Sequence, residues 1–147
     1  MEIPARKDWG NYKEDFDVRY AYKLYGGKSI DDSMEYFVTS PIERASELRF
    51  APFKIYQYYV NCFIRYLTSE KASEESDMAS VFLGLARDMS EKYPVEFSEF
   101  YLKIQGAINY VVENQEYYDA DYDIYGSFRD VRSEILQNLE TNNGRNA

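Results

Sequence analysis

Apolar residues along this chain recur at intervals of three and four, and two-residue alternation is almost absent, so the pattern predicts helices and no sheet. Seven helical segments follow from it. The first, from about Glu14 to Tyr25, places Val18, Ala21, Tyr22 and Tyr25 on one face, and Gly26-Gly27 stops it with a left-handed C-cap. Ser29 caps a second, whose inner face is Ile30, Met34, Phe37 and Val38. A third opens with Pro41 at its first position, inside a capping box of Ser40 and Glu43, and turns Ile42, Ala45 and Leu48 inward. Ala51-Pro52 marks the next boundary.

The fourth segment, Pro52 to Thr68, is apolar around most of its circumference. Phe53, Tyr56, Val60, Phe63, Ile64 and Leu67 form one stripe, and Ile55, Tyr59, Cys62 and Tyr66 form another beside it. Lys54, Gln57, Asn61, Arg65 and Thr68 are left a narrow strip, which predicts the central helix of a bundle. The polar run from Ser69 to Asp77 is the longest internal connector. A fifth helix, to about Lys92, buries Met78, Phe82, Leu85 and Met89 until Tyr93-Pro94 ends it. The sixth, from about Pro94 to Tyr118, buries Phe97, Tyr101, Ile104, Ile108 and Val111, with Gly106 as its soft point. After a loop from Asp119 to Gly126, Ser127 and Asp130 cap a last helix with Phe128, Val131, Ile135 and Leu139 inside. The expected fold is therefore a single all-α domain over residues 1–140, a bundle of six to seven helices, followed by a disordered tail over 141–147.

Length and composition agree with one folded domain. The chain has 147 residues, 45% of them hydrophobic and 18% aromatic, enough to bury a core. Sixteen are tyrosines, whose polar tips place many of the rings at the core boundary. There is no histidine, which removes the commonest base near neutral pH, histidine-zinc sites and histidine-activated nucleophiles. Cys62 is the single cysteine, so an intrachain disulfide or cysteine metal cluster is impossible, and its apolar face predicts a structural thiol. No run approaches the roughly 18 uncharged apolar residues of a membrane helix, and the first residues lack a secretory apolar core, so a cytoplasmic location is expected.

The net charge of −9 is uneven. Residues 1–72 hold 11 acids and 11 bases, whereas residues 73–147 hold 15 acids and six bases, so the whole excess lies in the second part. Such a field repels nucleic acid phosphates and anionic lipid and favours a basic protein partner, although acidity also serves simple solubility.

The densest stretch is Glu113 to Tyr125, with five acids, four tyrosines and no base in 13 positions. Continued helical spacing puts Glu96, Glu99, Lys103, Tyr110, Glu113 and Tyr117 on the outer face of the sixth helix, leading into Glu116, Asp119, Asp121, Tyr122, Asp123 and Tyr125. Carboxylates steer association and rigid rings supply contact area, so these residues are the candidate partner-binding surface. The alternative is that the tyrosines close the loop onto the core while the carboxylates are merely solvated. Near the N-terminus, Asp8, Trp9, Tyr12, Asp15 and Asp17 form a smaller cluster in which Trp9 reads as a hydrophobic anchor.

Two metal readings compete. Asp119, Asp121 and Asp123 open like a calcium-binding EF-hand loop, but Ile124 stands where such a loop needs glycine, and Asp130 where it needs a bidentate glutamate. Glu96-Phe97-Ser98-Glu99 and Glu116-Tyr117-Tyr118-Asp119 resemble, in spacing alone, the Glu-x-x-Glu and Glu-x-x-Asp motifs of the all-α nucleotide pyrophosphohydrolases of the MazG type. That resemblance implies carboxylates holding Mg²⁺ against a nucleotide's phosphates, from two helices that face each other. Here one helix carries both motifs, and at about 1.5 Å per residue Glu99 and Glu116 stand roughly 25 Å apart unless the helix breaks near Gly106. The leading expectation is thus a non-enzymatic, cofactor-free interaction module for a basic partner, such as an inhibitor or immunity-type protein. An Mg²⁺-dependent enzyme acting on phosphorylated substrates, or an adaptor without a distinctive site, are its alternatives.

Overall fold

The computed structural model describes residues 1–145, and among them there is no strand. The helices are α1 (Phe16–Tyr25), α2 (Ile30–Thr39), α3 (Pro41–Phe50), α4 (Phe53–Leu67), α5 (Ser76–Lys92), α6 (Pro94–Glu113), the single turn α7 (Tyr122–Tyr125) and α8 (Phe128–Arg145). Short 3₁₀ turns at Arg6–Trp9, Tyr12–Glu14 and Glu70–Ala72 complete the path. The all-α bundle read from periodicity is what the chain forms.

Helix α4 occupies the centre, packed against α2, α3, α5 and α6. Its Ile55, Tyr56, Tyr59, Val60, Cys62, Phe63 and Leu67 are fully buried, while Lys54, Arg65 and Thr68 of the polar strip stay exposed. The centre is shared, however: α8 packs chiefly on α5 and α6, so α5 is the second spine of the bundle. Trp9 anchors the N-terminal arm as its aromatic character predicts, buried against the rings of Tyr22, Tyr25 and Tyr59.

More phenols lie inside than a boundary role predicts. Tyr25, Tyr56, Tyr58, Tyr59 and Tyr118 are all buried. Four of their hydroxyls find partners: Tyr59 reaches the carbonyls of Tyr25 and Lys28 at 2.9 Å each, Tyr118 donates to Leu67 O, Tyr25 donates to Glu47, and Tyr58 accepts from Ile30 N. Loose main-chain groups at helix ends thus satisfy buried side chains. Tyr56 has no such partner.

Several local expectations are corrected. Ser40 sits at the N-cap of α3 without a side-chain bond, so the capping box with Glu43 does not form, and Pro41 alone sets the start. Ile42 faces solvent rather than the core. Gly26 is not left-handed; Gly27 is, at φ 77°, and Gly26 is needed because a Cβ there would meet Tyr22 O at 2.4 Å. Helix α6 runs unbroken through Gly106 but stops at Glu113, short of Tyr118. The expected tail over 141–147 meets a helix that continues to Arg145; residues 146–147 lie outside the described residues.

Candidate functional site

The acidic, tyrosine-rich stretch begins where α6 ends. Asn114 leaves the helical region and its side-chain amide donates to Tyr110 O at 2.7 Å, occupying one of the loose carbonyls of the last turn. The chain then reverses through Asp119, at φ 56°, a left-handed conformation that aspartate tolerates better than most residues. Ala120 N closes the reversal by donating to Gln115 O at 3.2 Å. Asp121 then turns its carboxylate onto the N–H of Asp123 at 2.7 Å, capping α7.

Gln115 holds this loop together. Its side chain is buried, with Nε2 donating to Ala120 O at 3.0 Å and to Gly126 O at 2.7 Å, while Oε1 accepts from Phe128 N at 2.8 Å. One amide therefore ties the start, middle and end of the loop, with donors and acceptors matched. In sequence the glutamine stands between Asn114 and Glu116 with nothing to distinguish it, and only its place two residues past the end of the helix marks it.

The tyrosines fasten the loop to its surroundings. Tyr118 OH donates to Leu67 O at the end of α4 at 2.6 Å, and Tyr117 OH donates to Glu70 O at 3.1 Å. Glu74 N in turn donates to Tyr117 O at 3.1 Å. Tyr125 OH bridges Asp77 at 2.8 Å and Ser76 at 3.1 Å. These contacts join the loop to the 69–77 connector, which itself carries Glu70, Glu74, Glu75 and Asp77.

One end of the bundle is consequently a cap built from two segments. Residues 69–77 and 113–126 together hold nine acids and one base, Lys71. Glu70, Glu74, Asp77, Glu113, Glu116, Asp119, Asp121 and Asp123 are all exposed. Among the described residues, none of these carboxylates has a lysine or arginine nitrogen within 4 Å, whereas Asp8, Asp31, Glu47, Asp88 and Glu134 do. Tyr110, Tyr117, Tyr122 and Ile124 supply exposed apolar surface, and Ile124 is the most open of them at 76%.

The sequence-derived set is thereby divided. Tyr110, Glu113, Glu116, Tyr117, Asp119, Asp121, Tyr122, Asp123 and Tyr125 come together at the cap. Glu96 and Glu99 are exposed but belong to the first turns of α6, roughly 20–25 Å from Glu113 at the helical rise. Sequence reasoning missed Glu70, Glu74, Asp77 and Ile124, because the contact between the two loops is made by tertiary hydrogen bonds. The run of acids around Glu74 was the available signal.

The same geometry bears on the metal readings. One helix does not carry both motifs: Glu96-x-x-Glu99 lies in the first turns of the unbroken α6, and Glu116-x-x-Asp119 lies in the turn beyond its end at Glu113, so the two do not face each other. Among the described residues, no three aspartate, glutamate or cysteine side chains converge on a point that could hold a metal ion. Asp121 is spent on capping, and Ile124 is part of a helical turn rather than of an ion-encircling loop.

No model of a known family matches the chain, and neither a curated protein nor a solved structure matches it. The functional reading therefore rests on the site. No helix among the described residues is long and apolar enough to cross a membrane.

Proposed function

We propose that the chain is a non-enzymatic interaction module whose acidic cap docks a basic protein, in the manner of an inhibitor or immunity-type protein covering a cationic surface, within the cytoplasm. One observation carries this reading: two acidic loops, distant in sequence, are tied to each other by Tyr117 and Tyr125, with Tyr118 fastening the second to the end of α4, into one surface whose carboxylates are without cationic neighbours among the described residues. Acidity that served solubility alone has no need of a common surface. Uncompensated carboxylates on a fixed backbone instead raise the local concentration of a cationic partner and speed its association. Tyr122 and Ile124, exposed at the same end, add contact area that loses little conformational freedom on binding.

The test is capture from cell extract on the immobilised chain, at low and high salt. A basic protein should be retained and then released as salt screens the cap. The triple variant Glu113→Lys, Glu116→Lys, Asp123→Lys should lose it, while Glu96→Lys, Glu99→Lys, at the far end of α6, should keep it. Retention of the same partner by the triple variant would refute the proposal.

A further inference from the structure

A second surface, formed by α1 and α3, shares no residue with the cap. Phe16 and Tyr20 stand one helical turn apart on α1 and remain 73% and 49% exposed. They border a groove of about 480 Å³ whose opposite wall is α3. Its floor is an ion pair: Arg44 Nε donates to Glu47 Oε1 at 2.7 Å and Nη2 to Oε2 at 2.8 Å, both side chains being 7% exposed. Tyr25 OH adds a bond to Glu47 Oε1 at 3.2 Å. Among the described residues Arg44 Nη1 makes no hydrogen bond. The rim carries Asp17 and Glu43, both exposed, and the charge of Asp17 is felt at Glu47.

This combination selects the chemistry of a guest. Asp17, Glu43 and Glu47 outnumber Arg44 and the Arg19 guanidinium near Phe16 by one charge, so the groove stays negative, an anion is disfavoured and a cation welcomed. The rings already hold guanidinium groups of the chain itself, Arg44 at 5.8 Å from the Tyr20 centroid and Arg19 at 5.6 Å from that of Phe16. A planar, weakly hydrated guanidinium stacks on such faces better than a compact ammonium does. The spare donor of Arg44 wants a neutral acceptor beside that cation, which a peptide carbonyl provides.

We infer that the α1–α3 groove binds an arginine side chain of an extended peptide segment, the guest guanidinium lying on Phe16 and Tyr20 and pairing with Asp17 and Glu43, with Arg44 Nη1 donating to a guest main-chain carbonyl. This goes beyond the cap reading and stands on different elements.

The experiment is a titration of ¹⁵N-labelled chain with acetyl-Ala-Ala-Arg-Ala-Ala-amide, followed by amide shifts. Saturable shifts are expected within residues 16–20 and 40–47. The lysine version of the peptide should bind about tenfold more weakly, and the version with uncharged, planar citrulline should leave the groove amides unmoved. Asp17→Asn with Glu43→Gln should weaken arginine binding at least about tenfold, as should Tyr20→Ala, with helical circular dichroism checking that each variant is folded. The Glu113→Lys, Glu116→Lys, Asp123→Lys variant should bind the peptide like the unaltered chain, so the cap reading and this one fail separately. Shifts confined to residues 113–126, equal binding of the citrulline peptide, or an absence of saturable groove shifts would overturn the assignment.

Discussion

Tyr118 donates its hydroxyl to the main-chain carbonyl of Leu67 at 2.6 Å, so the acidic turn is fastened to the last residue of the central helix. The ring is fully buried, which shields the bond from competing water. Tyr118→Phe should therefore cost about 1–2 kcal/mol in urea unfolding, because it leaves a buried carbonyl without its donor. Tyr117→Phe, whose bond to Glu70 O is solvent-exposed, should cost less than about half of that. Equal losses would mean that the Tyr118 bond is not the anchor of the turn.

Gln115 satisfies three main-chain groups, so Gln115→Leu, similar in volume but without hydrogen-bonding capacity, should destabilise by about 2–3 kcal/mol. Amide hydrogen exchange localises the effect. Phe128 N–H should exchange faster than in the parent chain by more than the global loss of stability explains, while amides in the middle of α4 follow the global value.

Gly106 interrupts no packing. It lies exposed in the middle of α6, and a Cβ built there meets nothing within 4 Å. Gly106→Ala should stabilise the chain by about 0.5–1 kcal/mol through reduced freedom of the unfolded state and better helix propensity. A fall in melting temperature would show that α6 needs that glycine for a purpose other than continuity.

Burial pushes the Cys62 thiol up to about 12, against a smaller opposing influence of Arg65. A thiol this far from ionisation is a poor nucleophile, so an aromatic disulfide reagent at neutral pH should react with the folded chain only as fast as the chain unfolds. Reaction in denaturant should be immediate.

Burial also holds the hydroxyls of Tyr25, Tyr56, Tyr59 and Tyr118 above the ordinary tyrosine value of about 10. The folded chain keeps these protons at a pH where the unfolded chain has released them. Their contribution to stability is then fully present below pH of about 10 and is lost as pH rises beyond it. An ultraviolet alkaline titration should show the exposed tyrosines ionising reversibly first, and the buried set ionising together with loss of helical circular dichroism.

The fold was readable because helical periodicity and proline and glycine punctuation are local signals. Pro41, Pro52 and Pro94 each mark a helix start, and the apolar stripes of α4 name most of its buried residues, missing Tyr58 and including Ile64 and Tyr66, which are only partly buried. The end of α6 was not readable, since Asn114 to Tyr118 continue a helical pattern of side chains and only the tertiary pulls of Gln115 and Tyr118 turn the backbone away. The site was half legible for the same reason. Composition exposes the density of acids at 113–125, but no pattern within one segment reveals that Tyr117 and Tyr125 reach residues 70 and 77. Ile42 was assigned inward by its apolar character, and a helix as short as α3 can leave one such residue outside at little cost.

The groups that shape the cap are mostly different from the groups it displays. Gln115, Tyr118 and the carboxylate of Asp121 set the path of the backbone, while Glu113, Glu116, Asp123 and Ile124 point outward and hold nothing in place. Such a division lets the displayed side chains drift from one specificity to another, even to the opposite sign, while the architecture that carries them is inherited unchanged.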